Sequence, residues 1–238
     1  MDGKKQRIYE FATEDFSFGL AEDATVHWLR QAKSGRELLQ RGVPLCKVVL
    51  QNGEELVPAE VAPHDALWRF SFAGHGWLDL RIESKKRYLR IAAVELSLPD
   101  VSKLIFCQFV PLLRQYLGKM AGLASDEESG VCLRSLSLKV DTDFQKDLFQ
   151  AWTTESTGLT GAAVGIAAGS RENLVDMLKA MTHNEPVPFS PHGGAWAGES
   201  RLNRGSYVFA DVEAKDIDRW IEICRRGACS FLHFHFWW

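Results

Sequence analysis

From Ile8 to about Val140 apolar and polar residues alternate in short runs broken by turn residues, the pattern of strands with one buried face. Trp68, Phe70 and Phe72 alternate with Arg69 and Ser71. Beyond Gly74-His75-Gly76, the residues Leu78, Leu80 and Ile82 alternate with Asp79, Arg81 and Glu83, which predicts a hairpin. Residues 46–50 and 54–57 flank Asn52-Gly53, a pair suited to a type I′ turn because both of its central residues need positive φ. Lys33-Ser34-Gly35-Arg36 predicts another turn, and strands are expected over 89–96, 104–110 and 136–140. This spacing of short strands fits an antiparallel β-sandwich. The stretch Ser125-Asp126-Glu127-Glu128-Ser129-Gly130 gathers oxygen ligands that would suit calcium, but without EF-hand spacing, and a solvated loop is expected.

The period changes near 141–158, which sets the expected boundary between a β-sandwich domain at 1–145 and an α/β domain at 158–238. Ala162-Ala163-Val164-Gly165-Ile166-Ala167-Ala168 predicts a small-residue strand, with Ser170 as N-cap and Leu174, Val175, Leu178 and Met181 as the apolar stripe of a helix. Residues 184–203, rich in Pro and Gly, predict a long loop of the kind that is more often functional than decorative, and it carries His192 and Trp196. Tyr207-Val208-Phe209-Ala210 then predicts a strand, and Ile217, Trp220, Ile221 and Cys224 the face of an amphipathic helix. Arg225 and Arg226 suit the negative end of that helix, and Gly227 is expected to end it in the left-handed conformation. Residues 230–236 read as a last strand, followed by Trp237-Trp238.

A strand, a crossover helix and a second strand make a βαβ unit, hence a parallel pair in a sheet that needs further strands and a cover on both faces. Nothing in the sequence after Trp238 supplies them, so the expectation is the front part of a longer protein, or a subunit completed by a partner.

Composition narrows the function. Hydrophobic residues make up 46% of the 238 residues and charged residues 25%, as in globular proteins. A net charge of -3 and a pI near 6.2 speak against a nucleic-acid partner. Cys46, Cys107, Cys132, Cys224 and Cys229 form no Cys-x-x-Cys pair and are expected as reduced, mostly buried thiols. No apolar run approaches the roughly 18 residues of a membrane helix, so no membrane partner is expected. The polar start Met1-Asp2-Gly3-Lys4-Lys5 lacks a signal peptide, which implies a cytoplasmic protein if Met1 is the native start.

Ligands of parallel sheets sit beyond the carboxyl ends of the strands, and that rule selects Gly169 and Ser170 after the first strand, Asp211 after the second and His235, Trp237 and Trp238 at the third, the last four being the candidate substrate-binding residues. Each has a plainer alternative. Asp211 stands where a helix N-cap often stands. His233 and His235 point the same way along a strand and would serve either as structural histidines or, with ligands from later strands, as a metal pair. Trp237 and Trp238 offer apolar faces to a sugar ring, or to a core. No dinucleotide fingerprint, P-loop or nucleophile elbow is present, and no cofactor or bound metal is expected.

The order of parts, a β-sandwich leading into Ser206-Tyr207-Val208-Phe209-Ala210-Asp211, a helix with Asp216-Ile217-Asp218, Gly227 and a strand ending in Trp-Trp, resembles large glycoside hydrolases of the α-galactosidase and α-glucosidase type. Those enzymes place a β-supersandwich before a (β/α)8 barrel. The resemblance implies an α+β multidomain chain: an antiparallel β-sandwich followed by the opening βα units of a (β/α)8-type barrel, truncated at Trp238. It implies a carbohydrate substrate bound near His235, Trp237 and Trp238, with the nucleophile and acid/base carboxylates on later strands in the remainder of the barrel. Two rivals stay open. One is a carbohydrate-binding or assembly module using Trp28, Trp68 and Trp77; the other is a metal-dependent hydrolase using His233 and His235.

Overall fold

Alternation along the chain becomes a set of short strands in the computed structural model, which describes residues 6–118, 122–145, 147–188, 200–201 and 205–234. The strands open with β1 (Ile8–Ala12), β2 (Phe16–Ala21), β3 (Thr25–Gln31), β4 (Val43–Pro44), β5 (Lys47–Leu50) and β6 (Glu55–Leu56). They continue with β7 (Glu60–His64), β8 (Leu67–Phe72), β9 (Gly76–Ser84), β10 (Leu89–Leu96), β11 (Val101–Phe109), β12 (Tyr116–Gly118) and β13 (Leu123–Ser125). Next come β14 (Ser129–Ser135), β15 (Asp141–Gln145), β16 (Leu148–Thr154), β17 (Ala163–Ser170) and helix α1 (Leu174–Asn184). The last described elements are β18 (Tyr207–Ala210), α2 (Ile217–Arg226) and β19 (Phe231–Phe234). Two compact units result, residues 1–187 and 188–238.

The first unit holds three antiparallel sheets: β1-β2-β3-β4, β12-β13-β14-β17-β10-β9-β8-β7, and β15-β16-β11-β5-β6. Their inward residues merge into one core, to which β2 gives Phe16, Phe18 and Leu20, β8 and β9 give Phe70, Leu78 and Leu80, and β11 gives Leu104 and Phe106. Burying such side chains against each other is the main stabilising term of a sandwich.

The hairpin read over 68–82 is present, with Trp68 opposite Leu80 and Phe72 opposite Gly76. The turn at Asn52-Gly53 differs from expectation. Only Gly53 has positive φ, at 87°; Gly53 N–H donates to Leu50 O at 2.9 Å, and Leu50 N–H to Glu54 O at 2.9 Å. The loop therefore has three residues and one left-handed position, which only the glycine has to meet. Residues 136–140 form no strand; the chain turns there between β14 and β15.

The small-residue run at 162–168 also lies elsewhere than predicted. It forms β17 inside the eight-stranded sheet, antiparallel to β10 and β14, and does not open a parallel βα unit. Its composition has a steric cause. A Cβ on Gly165 would lie 2.9 Å from Met181 Sδ, and one on Gly169 would lie 2.6 Å from Met177 Cε. Small residues let α1 lie close on the sheet and bury Leu174, Met177, Leu178 and Met181. Ser170 precedes the 3-10 turn Arg171–Asn173 as expected of a cap, but its hydroxyl makes no capping bond. Beyond α1, the Glu185 carboxylate accepts Tyr88 Oη–H at 2.7 Å and Arg90 Nε–H at 3.1 Å. Thus the period change near 141–158 falls inside the first unit, and no barrel is seen among the described residues.

In the second unit β18 and β19 pair in parallel, Tyr207 opposite Phe231 and Ala210 opposite Phe234, with α2 between them in sequence. The helix ends at Arg226 with Gly227 as its cap, as expected, but the left-handed conformation falls one residue later. Gly227 has φ −82° and Ala228 takes the left-handed conformation at φ 50°. Cys229 N–H then donates to Cys224 O at 2.8 Å and Ala228 N–H to Arg225 O at 3.3 Å, the bond pair of a Schellman-like stop.

Candidate functional site

In a parallel pair residues two apart share a face, and the register fixes which cross-strand neighbours join them. Tyr207 and Phe209 of β18 therefore face the same way as Phe231 and His233 of β19. Tyr207 is 61% exposed and Phe209 55%, while Ala210, on the opposite face, is 7% exposed. The rings organise one another: Tyr207 meets Phe209 edge-on at 5.2 Å, and the His233 imidazole lies 4.3 Å from the Phe209 ring at a 35° tilt. With Leu232 these residues line an open pocket of about 340 Å³. An aromatic floor with one imidazole offers apolar stacking and a single polar handle.

Helix α2 leaves apolar residues outward too. Cys224 is buried and Trp220 half-buried, but Ile217, Ile221 and Ile223 are each more than a third exposed. The stripe predicted from the sequence is thus only partly covered.

Asp211 follows β18 and is exposed. It is no helix cap: a 3-10 turn over Ala214–Asp216 intervenes, preceded by Glu213, and Asp216 is the residue before α2. His235, Trp237 and Trp238 lie outside the described residues, as do His192 and Trp196 of the long loop. The sequence reading selected residues beyond strand ends; the aromatic floor lies along the strands. Period-two spacing of Tyr207 with Phe209 and of Phe231 with His233 is the signal that marks it.

The sandwich tryptophans named for a binding module are half-buried and engaged. Trp28 carries the Arg30 guanidinium at 4.5 Å, and a Cβ on Gly19 would stand 2.5 Å from its ring. Trp77 carries the Arg69 guanidinium at 3.8 Å, and Arg69 is held by two hydrogen bonds, 2.8 and 2.7 Å, to Asp79, which is 1% exposed. Trp68 packs edge-on against Tyr9 and Phe11. Each ring already has a partner.

The acidic loop is likewise committed. Asp126 Oδ1 accepts the backbone N–H groups of Glu128 and Ser129, at 3.0 and 2.8 Å, and its carboxylate is paired with Arg36. Burial raises the Asp126 carboxyl, but the Arg36 and backbone hydrogen bonds outweigh it and hold the group below the usual carboxylate range. The carboxylate best placed to bind a calcium ion is thus already engaged by an arginine. Among the described residues no three His, Cys, Asp or Glu side chains gather as a metal site would require.

No protein-family model matches the sequence, and no curated protein matches it. Among solved structures the chain is similar to a GH31 family sulfoquinovosidase from E. rectale, determined in complex with the aza-sugar inhibitor IFGSQ. The two share 10% sequence identity with a TM-score of 0.38, over 82% of this chain. The chain spans 38% of that protein's length.

Proposed function

We propose that this chain is the front part of a carbohydrate-active enzyme of the glycosidase type, in which further βα units continue the parallel sheet begun by β18 and β19. The observation that supports this reading most is the aromatic face of that pair, where Tyr207 and Phe209 keep more than half of their surface in solvent. Parallel strands are otherwise covered on both faces, so a face of this composition asks for a layer to meet it. The exposed isoleucines of α2 ask the same of the outer side.

In this reading the sandwich is a scaffold and the sugar lies beyond the carboxyl ends of the parallel strands. Asp211 follows Ala210, and His235 follows Phe234, the residue paired with Ala210. With Trp237 and Trp238 they belong to the substrate pocket, where the carboxylate and imidazole bond hydroxyl groups and the indoles stack on the sugar ring. The reaction is a two-carboxylate displacement at the anomeric carbon, with both catalytic carboxylates supplied by later strands.

The test is to read the coding frame beyond the Trp238 codon, express the continuous product and assay it on a panel of aryl glycosides. A frame that adds βα units with Asp or Glu at strand ends, and a product that hydrolyses at least one glycoside, is the expected result. A frame that closes at once overturns the reading, and so does a long product inactive on the whole panel.

A further inference from the structure

We propose that Cys46 and Cys107 are a latent cross-strand disulfide, a staple set by oxidation at the passage between β4 and β5. The contacts on either side define the place. Lys47 of β5 is opposite Ile105 of β11. One step further, Gln108 N–H donates to Leu45 O at 2.7 Å, and the Gln108 side-chain amide donates to Pro44 O at 3.0 Å. Between those anchors stand Cys46 on one side and Phe106-Cys107 on the other, two residues against one, as in a β-bulge. Cys46, Phe106 and Cys107 have no solvent exposure and belong to the same core, so all three side chains point inward. In such a bulge both residues of the longer side face the single residue opposite, and the Cα separation of facing residues in an antiparallel ladder, about 4.5–5.5 Å, lies within the roughly 4.4–6.8 Å that a disulfide spans. The sequence hides this pair because its members are far apart along the chain and lack any motif spacing.

The oxidant is hydrogen peroxide. One thiolate attacks a peroxide oxygen, giving a sulfenic acid and releasing one water; the other thiol then attacks that sulfur, a second water leaves, and the S–S bond forms. The two thiols give up two electrons and two protons, and the peroxide takes both. Burial raises the Cys46 thiol well above its usual range and Cys107 pushes the same way, while burial raises Cys107. The pair is therefore protonated at neutral pH, resists brief exposure, and closes under sustained exposure, fastest at alkaline pH. Once closed, the staple ties the strand passage covalently to the central strand of the five-stranded sheet and limits the unfolded chain.

The test uses the full chain with Cys224→Ala and Cys229→Ala, which leaves the first unit unchanged. The protein is held in hydrogen peroxide at mildly alkaline pH, remaining thiols are alkylated, and peptides are mapped without reduction. The expected result is one linked peptide pair containing Cys46 and Cys107, a mass lower by two hydrogens, and a urea midpoint above that of the reduced protein. The rise should vanish in the Cys46→Ala variant. Recovery of Cys46 and Cys107 as separately oxidised or alkylated peptides, or linkage of either to Cys132, overturns the proposal. Should an alanine variant fail to fold, the same map of the unaltered chain decides, because connectivity is read from the linked peptides.

Discussion

Phe16 and Phe18 in β2 lose all contact with solvent, whereas Tyr207 and Phe209, spaced in the same way along β18, keep more than half of theirs. Both pairs follow the period of a strand, and both lie in paired strands. The difference lies in what meets the face. In the first unit the inward rows of three sheets meet in one core. In the second, the described residues give a two-stranded pair and one helix, too little surface to enclose four aromatic or imidazole rings, and small sheets of this kind are marginal by themselves. Period-two alternation encodes a face that wants cover; whether it finds cover depends on the number of layers.

That contrast can be tested by equal truncations. Phe106→Ala in the core of β11 should cost about 3–5 kcal/mol of stability, through lost burial and the cavity left behind. Phe209→Ala, from a side chain already 55% exposed, should stay within about 0.5 kcal/mol. Urea unfolding of both variants measures this, and a cost of several kcal/mol at Phe209 would mean that its face is covered in solution. The next largest effect is expected at Gly19, where an added Cβ would stand 2.5 Å from the Trp28 ring. Gly19→Ala should destabilise the first unit by about 1–3 kcal/mol through overpacking, visible as a lower midpoint and a shifted tryptophan emission. A neutral result would show that the ring moves away freely and that Trp28 is a surface group.

How much of this was legible in the sequence follows the same logic. The hairpin over 68–82 was readable because Trp68, Phe70 and Phe72 and then Leu78, Leu80 and Ile82 alternate cleanly with polar residues. The strand at 163–170 was readable as a strand but not as a member of the sandwich. Its glycines and alanines look like the start of a new fold, yet they are small because Met177 and Met181 lie against them, a contact with no local signature. The parallel pairing of β18 with β19 was legible from the strand, helix, strand order. The Gly227 assignment missed by one residue, since a glycine beside a helix end draws the left-handed role to itself in any sequence reading. Asp211 does follow a strand, but no helix cap stands there because an extra turn separates it from α2, and nothing in the local sequence marks that turn.

Acid should separate carboxylates that are held from those that are not. Burial raises Asp126 and Glu83, but hydrogen bonds and charge from Arg36 at the first, and from Lys85 and Arg90 at the second, leave both below the usual carboxylate range. A folded pKa below the unfolded one gives stability that is present above the unfolded value, about 4, and is lost as the pH falls through the folded one. The urea midpoint of the first unit should therefore decline as the pH drops below about 4, and Asp126→Asn should flatten the decline. An unchanged slope in that variant would mean that the Arg36 pair does not persist in solution.

The smallest effect concerns the end of α2 and distinguishes the two residues that compete to terminate it. Ala228 holds the left-handed conformation at φ 50°, which a side chain with Cβ adopts at a cost of about 1 kcal/mol and glycine does not. Gly227 sits at φ −82°, where alanine is at ease, although a Cβ there would lie 3.3 Å from Ile223 O. Ala228→Gly should therefore strengthen the stop by about 0.4–1 kcal/mol, raising hydrogen-exchange protection of the Gly227 and Cys229 amides roughly two- to fivefold. Gly227→Ala should change that protection less and in the opposite direction. The reverse ranking, with Gly227→Ala the costlier change and Ala228→Gly silent, would return the left-handed role to Gly227.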